Sequence, residues 1–296
     1  MNHKMKLRHL ACFTALVPAL LLSQGVLAQR AVPARPKAPG TAQEAAPIDL
    51  TGYWVSVITE DWRWRMLTPP HGDYASVPLN PAGKKLADLW TTAQDGSCLA
   101  YGAAGLMRMP TRVHITWSDP DTLKLETDWG EQTRTFHFIP GRPYGESAMG
   151  NNGAAPATAR AAAGPDQGAA SLQGNSVAIW QLPYAINANE GLRGPQRGGG
   201  FGPPSAPEPG GDLEVLTSNL APGWLRRNGV PYGSHTRLTE YYQTFTDPVG
   251  KKWFDVTTDV VDPEYLMAPF ITSSDFRSEP DNANWAPHPC KDKDAG

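Results

Sequence analysis

Cysteine is scarce in this chain. Only three occur among 296 residues, and none forms a CxxC pair. Two of them, Cys98 and Cys290, lie nearly 200 positions apart with no HxxxH partner, so no zinc-ligand spacing is present. Charge of one sign is lacking too. Twenty-six basic against 29 acidic residues leave a net charge of −3, and no basic footprint favours DNA or RNA. Nucleophilic-hydrolase signatures (GxSxG, SxxK) are absent, as are HExxH and EF-hand metal motifs. The glycine run at 198–202 sits in a Pro-rich stretch rather than between a strand and a helix, so it is no phosphate cradle. Nothing calls for a cofactor or a metal.

Long hydrophobic runs are missing as well. The apolar stretch from Leu10 to Leu22, about 13 residues, is too short to span a bilayer stably. It follows Lys4, Lys6 and Arg8 and precedes Val26-Leu27-Ala28, the layout of a secretory signal cleaved after Ala28. Residues 1–28 are thus expected to be a signal peptide, the mature chain to have no membrane span, and the destination to be periplasmic or secreted. Cys12 leaves with the signal. One pair then remains for an oxidising compartment, and Cys98 is expected to bond Cys290.

Glycine and proline, 29 of each, are abundant. Residues 29–47 are rich in Ala, Pro and Gly with almost no large apolar side chain, which predicts a flexible tether. Two further low-complexity stretches, about 141–170 and 194–211, read as disordered insertions or as lids over a pocket. Between them, a single domain over 48–292 follows a period of two. Val113, Ile115 and Trp117 share one face, while Arg112, His114 and Thr116 share the other. Residues 122–127 and 132–138 alternate in the same way after turn signals at Asp119-Pro120-Asp121 and Trp129-Gly130, giving a meander. Further strands are expected at about 176–182, 212–219, 236–245 and 252–260, the last two joined through Asp247-Pro248-Val249-Gly250. The one convincing helix runs from Pro81 toward Trp90, with Leu86, Leu89 and Trp90 on one face. The fold class is all-β, an antiparallel meander that removes its open edges by curling into a curved or closed barrel.

The opening strand Leu50-Thr51-Gly52-Tyr53-Trp54 resembles the Gly-x-Trp strand of lipocalin-like barrels. Several segments are similar to a group of secreted bacterial all-β proteins: Thr51-Gly52-Tyr53-Trp54 running into 59–70 (TEDWRWRMLTPP), Glu126-Thr127-Asp128 with Gln132-Thr133-Arg134, 227–232 (RNGVPY), Leu238-Thr239-Glu240-Tyr241, and 262–266 (DPEYL). The likeness implies export and one integrated β domain. It carries no catalytic role.

Ten Trp, nine Tyr and eight Phe are a large aromatic supply. Such rings collect where an apolar body meets a wet rim, ligand cavities included; equally, Trp54, Trp117 and Trp180 suit a β core. If 60–65 is a strand, Glu60, Trp62 and Trp64 face one way and Asp61, Arg63 and Arg65 the other. The ionic face either lines the barrel, with Arg63 and Arg65 binding a carboxylate or polarising a carbonyl, or forms an exposed ion-pair ladder. Glu240 and Tyr242 share a face with Leu238, and His114 sits mid-strand. His114, Glu240 and Tyr242 are the candidate proton-transfer set, with Arg134 or Arg65 stabilising negative charge. Trp54, Trp62, Trp64, Trp117, Asp61, Arg63 and Arg65 are the candidate ligand-binding set. Three functions remain open: binding of a small apolar or aromatic molecule in an aromatic-lined barrel cavity, cofactor-free lyase or isomerase chemistry in the same cavity, and a structural or envelope-assembly role.

Overall fold

The structure is a computed structural model that describes residues 40–139, 168–181 and 212–291. The signal, the N-terminal part of the tether and most of both low-complexity insertions lie outside the described residues. Thirteen strands are described: β1 (Gly52–Val57), β2 (Arg112–Asp119), β3 (Thr122–Thr127), β4 (Trp129–Gly130), β5 (Thr133–Phe138), β6 (Asn175–Gln181), β7 (Asp212–Ser218), β8 (Gly223–Arg226), β9 (Val230–Tyr232), β10 (Arg237–Thr246), β11 (Lys252–Val261), β12 (Phe270–Glu279) and β13 (His288–Pro289). Three short helices are α1 (Trp62–Arg65), α2 (Pro81–Ala87) and α3 (Ala103–Leu106). Among the described residues no helix is long and apolar enough to cross a membrane.

Nine strands close into a barrel in the order β1-β12-β11-β10-β7-β6-β5-β3-β2, with β2 returning to β1. Every neighbouring pair is antiparallel except β5 and β6, which are parallel. An odd-membered ring cannot alternate direction all the way round, so one parallel seam is obligatory. The expected meander of β2, β3 and β5 is present, as is the β10–β11 hairpin. In that hairpin Asp247 Oδ1 accepts the amides of Val249 and Lys251, and Gly250 takes a φ of 82°. The sequence pattern missed β12. Its inward positions Thr272 and Ser274 are small and polar, which blurs the apolar alternation that marks a half-buried strand.

The alternating side chains fill the barrel. Trp54, Val113, Ile115, Leu125, Phe136, Trp180, Val215, Tyr242, Phe254 and Phe276 form one continuous core, each at most 2% exposed. Ring centroids of Phe254 lie 5.0 Å from Trp54 and 4.6 Å from Phe276. The segment expected as tether is seated from Gly40 onward. Ala42 is buried in this core, its amide donates to Asp121 Oδ1 at 2.7 Å, and its carbonyl accepts the Trp180 indole N–H at 2.8 Å. Small side chains let this backbone approach the rings closely, and composition alone does not register that contact.

The opposite end of the barrel carries a cap. Leu238, Val260 and Phe270 pack with Ala103, Ala104, Leu225, Val230 and Tyr232 of α3 and the β8–β9 hairpin. Helix α2 starts as expected, with Pro81 at its first position and Asn80 Oδ1 accepting the Gly83 amide at 2.8 Å. It stops at Ala87, however, so Leu89 (69% exposed) and Trp90 (4% exposed) do not share the expected helical face.

The C-terminal segment is stitched to the cap. Cys98 and Cys290 form the expected disulfide across 192 residues, with Cα atoms 4.9 Å apart. Around it β13 pairs with β4, and the Lys291 amide donates to Gly96 O at 2.7 Å. Closing so long a loop restricts the unfolded chain by about 5 kcal/mol on a chain-entropy argument. The Cys98→Ser/Cys290→Ser double variant is therefore expected to lose about 2–5 kcal/mol of stability in urea unfolding at an unchanged far-UV spectrum. An unfolding midpoint equal to that of the parent would show that the tail holds by its other contacts alone.

Candidate functional site

Strand alternation brings three of the four candidate catalytic residues together and sends the fourth away. Arg134 on β5 and Glu240 and Tyr242 on β10 point inward, at 0–1% exposure. Arg134 makes a two-pronged pair with Glu240, Nη1 to Oε1 at 2.9 Å and Nη2 to Oε2 at 2.6 Å. Its Nη2 also donates to Thr217 Oγ1 at 3.2 Å, and the Tyr242 hydroxyl donates to Glu240 Oε1 at 3.2 Å. The guanidinium lies 4.9 Å over the Phe136 ring. Burial opposes the arginine's charge, but the Glu240 carboxylate outweighs it and raises the pKa. Burial, followed by the same carboxylate, drives the Tyr242 hydroxyl upward, so the phenol stays neutral.

His114 is not part of this cluster. It stands on the outer face of β2, stacked on Tyr53 at 4.0 Å and 3.5 Å from the Glu126 carboxylate. Residues 113 and 115 face the core, so residue 114 must face away. The expected His114–Glu240 proton-transfer pair is therefore corrected: the barrel wall separates the two. Arg134, Glu240 and Tyr242 lie between the aromatic core and the cap, each at most 1% exposed. Their arrangement is that of an internal brace between β5 and β10.

Residues 60–65 are not a strand. The Trp64 and Arg65 amides both donate to Asp61 O, Asp61 takes a φ of 50°, and α1 is a single helical turn. Six residues are too few for a two-residue period to be told from a helical one. The expected split into an ionic and an aromatic face is thereby overturned. Trp62 is 62% exposed, Arg63 pairs with Asp73 at 3.0 Å, and the Trp64 indole donates to the same carboxylate at 3.1 Å. Arg65 turns inward, buried, with its Nε on Arg108 O at 3.1 Å. Asp61 pairs with Arg108 at 3.0 Å. Among the remaining ligand-binding candidates, Trp54 is a core residue whose indole donates to Leu50 O at 2.9 Å, and Trp117 stacks obliquely near Phe138 and Trp180.

The open aromatic volume lies outside the barrel, in the cap. A cleft of about 580 Å³ runs between the end of α2 and the β8–β9 hairpin. Trp90, Trp224, Tyr232 and Tyr265 form its walls, and Leu86 and Leu89 stand at its exposed lip. Two of the wall residues carry buried donors, the Trp90 indole N–H and the Tyr232 hydroxyl, that have no hydrogen-bond partner among the described residues. Burial raises the Tyr232 pKa, so the hydroxyl keeps its proton. Glycines make these positions possible. A Cβ at Gly229 would fall 2.5 Å from Trp90, and one at Gly223 would fall 2.5 Å from the Tyr232 hydroxyl. A 3₁₀ turn, Cys98–Tyr101, supplies Leu99 to the cleft and begins at the disulfide. Sequence reasoning did not single out Trp224, Tyr232 or Tyr265. The available signal was the 227–232 segment, which places Gly229, Pro231 and Tyr232 on the cleft.

A second recess of about 450 Å³ sits at the other end of the barrel, against Trp54, Phe245 and Trp253. Here the indoles are already occupied, Trp54 by Leu50 O and Trp253 by Asp247 Oδ2 at 3.0 Å. Among the described residues no group of His, Cys, Asp and Glu is placed to hold a metal ion. No protein-family model, curated protein or solved structure matches this chain.

The brace has a direct test. Removing one partner strands a buried charge, so Arg134→Met or Glu240→Leu alone is expected to cost about 3–5 kcal/mol. The double variant Arg134→Met/Glu240→Leu should recover most of that loss. A double-mutant cycle in denaturant with no coupling between the two positions would refute the brace.

Proposed function

We propose that this protein is exported and binds a small, largely apolar molecule that carries hydrogen-bond acceptors, in the cleft between α2 and the β8–β9 hairpin. The observation that carries this reading is a cleft of about 580 Å³ with aromatic walls, two of whose residues, Trp90 and Tyr232, hold donors that have no partner among the described residues. Buried donors without partners cost about 1–3 kcal/mol each, a cost that a ligand acceptor removes on binding. Concave, mainly apolar walls with a few converging polar groups are the usual make-up of a small-molecule site. Inside the barrel, by contrast, the rings of Trp54, Phe136, Trp180, Phe254 and Phe276 are each at most 2% exposed. Export rests on the N-terminal signal pattern together with the disulfide, which persists in oxidising compartments.

Aromatic ketones and carboxamides are the probes of choice. Titration is expected to change intrinsic tryptophan fluorescence, and Trp90→Phe, which keeps the ring area and deletes the N–H, should weaken binding about tenfold. Trp253→Phe, at the other end of the barrel, should leave the affinity unchanged. The opposite order of effects would move the site to the recess beside Trp54, and a silent panel would remove the binding reading altogether. N-terminal sequencing of the exported protein is expected to begin at Gln29; recovery of the intact Met1 chain from the cytoplasm would overturn export.

A further inference from the structure

Three arginines are buried together beneath the cap, and among the described residues only one of them has a carboxylate within hydrogen-bond distance. Arg65 comes from α1, Arg108 follows α3, and Arg226 ends β8. Their exposures are 2%, 5% and 2%. Arg65 Nε donates to Arg108 O at 3.1 Å, and Arg226 Nη1 donates to Ala75 O at 2.7 Å. Asp61 holds Arg108 at 3.0 Å. Glu60 reaches only to 4.0 Å from Arg65, and its own side chain is half exposed. Among the described residues Arg226 has no carboxylate within ion-pair distance. Arg65 and Arg226 thus have no hydrogen-bonded carboxylate among the described residues, and the carboxylates of Glu60, Asp61, Asp73 and Asp275 act on them only at longer range.

Their idle donors surround a common space. Arg65 Nη1 and Nη2, Arg108 Nη1, and Arg226 Nε and Nη2 are all buried and lack a hydrogen-bond partner. The same three residues line a small cavity of about 10 Å³, the room taken by one water-sized occupant. Aromatic faces hold the guanidinium planes in place. Arg226 lies 4.9 Å over the Trp64 ring and 5.9 Å over Phe270, and Arg108 lies 5.5 Å over Phe270. Burial, and after it the charge of Arg108, lowers the pKa of both Arg65 and Arg226 to about 10. Both therefore remain cationic at neutral pH. Uncompensated buried charge is costly, and orphaned buried donors in a native fold call for an ion or water to satisfy them.

We propose that Arg65, Arg108 and Arg226 form a binding site for one compact monovalent anion, either a halide or a small carboxylate presenting one oxygen to the cavity. This site is distinct from the aromatic cleft and stands or falls independently of it. The anion receives hydrogen bonds from guanidinium nitrogens of α1, the segment after α3, and β8, and so clamps the cap elements to one another.

The test uses the full chain in thermal melts at constant ionic strength, with the Mes anion, too large for the cavity, replaced stepwise by chloride or formate. A saturable rise in Tm of several degrees is expected, as for any ligand that binds only the folded state. Whichever ion saturates at the lower concentration identifies the source as halide or carboxylate. Arg226→Met should abolish the response. Because that variant removes a buried side chain and is at risk of not folding, bromide soaking of wild-type crystals gives an independent readout. An anomalous peak within hydrogen-bond reach of these nitrogens supports the site. A Tm that responds to chloride and formate no more than to Mes, a response that survives in Arg226→Met, or bromide absent from the cavity would each overturn it.

Discussion

Closure is the constraint on which the molecule depends. Strand β1 pairs with β2 on one side and β12 on the other, so the ring of nine has no free edge and a fixed circumference. A fixed circumference sets how much side chain the interior must accept. Trp54, Phe136, Trp180, Phe254 and Phe276 take up that volume, and polar Arg134, Glu240 and Thr217 form a layer nearer the cap. Both layers are buried, and the cleft beside Trp90 and Tyr232 lies outside the ring.

Those outer elements are held by long-range ties instead of by sheet continuity. The cap is assembled from chain between β1 and β2 and between β7 and β10, and its apolar side chains meet over the barrel end at Leu238, Val260 and Phe270. The disulfide and the β13–β4 pairing bring the C-terminal segment against the same region. The cleft walls are therefore supplied by separate segments: the end of α2, the turn beginning at Cys98, and the β8–β9 hairpin. Fixing these segments before a ligand arrives reduces the ordering cost of binding.

Charge is treated in opposite ways at two neighbouring levels. Within the barrel, Arg134 and Glu240 satisfy each other in a two-pronged pair, with Thr217 and Tyr242 taking further bonds. In the cap, only Arg108 of the three arginines has a hydrogen-bonded carboxylate, that of Asp61, and among the described residues several of their N–H groups have no acceptor. A buried pair with matched hydrogen bonds is self-sufficient, whereas a surplus of one sign is not.

Much of the architecture was legible from local pattern. Alternation in 112–117, 122–127 and 252–260 marked the strands, Asp247 to Gly250 marked a hairpin, and the one cysteine pair outside the expected signal marked the disulfide, because each signal acts over a few residues or follows from elimination. Strand β12 was hidden by polar inward positions, and α1 by its brevity. The candidate site was legible only in fragments. Alternation shows that Glu240 and Tyr242 share a face, but not that Arg134, 106 positions away, meets that face, nor that His114 lies on the other side of the wall. The cleft of Trp90 and Tyr232 and the convergence of three arginines depend on which distant segments the closed ring brings together. The sequence by itself determined periodicity, turns and covalent pairing, because those are set by neighbours along the chain. Only the tertiary structure decided which faces are inside, which rings are free and which charges are left unpaired, because those are set by neighbours in space.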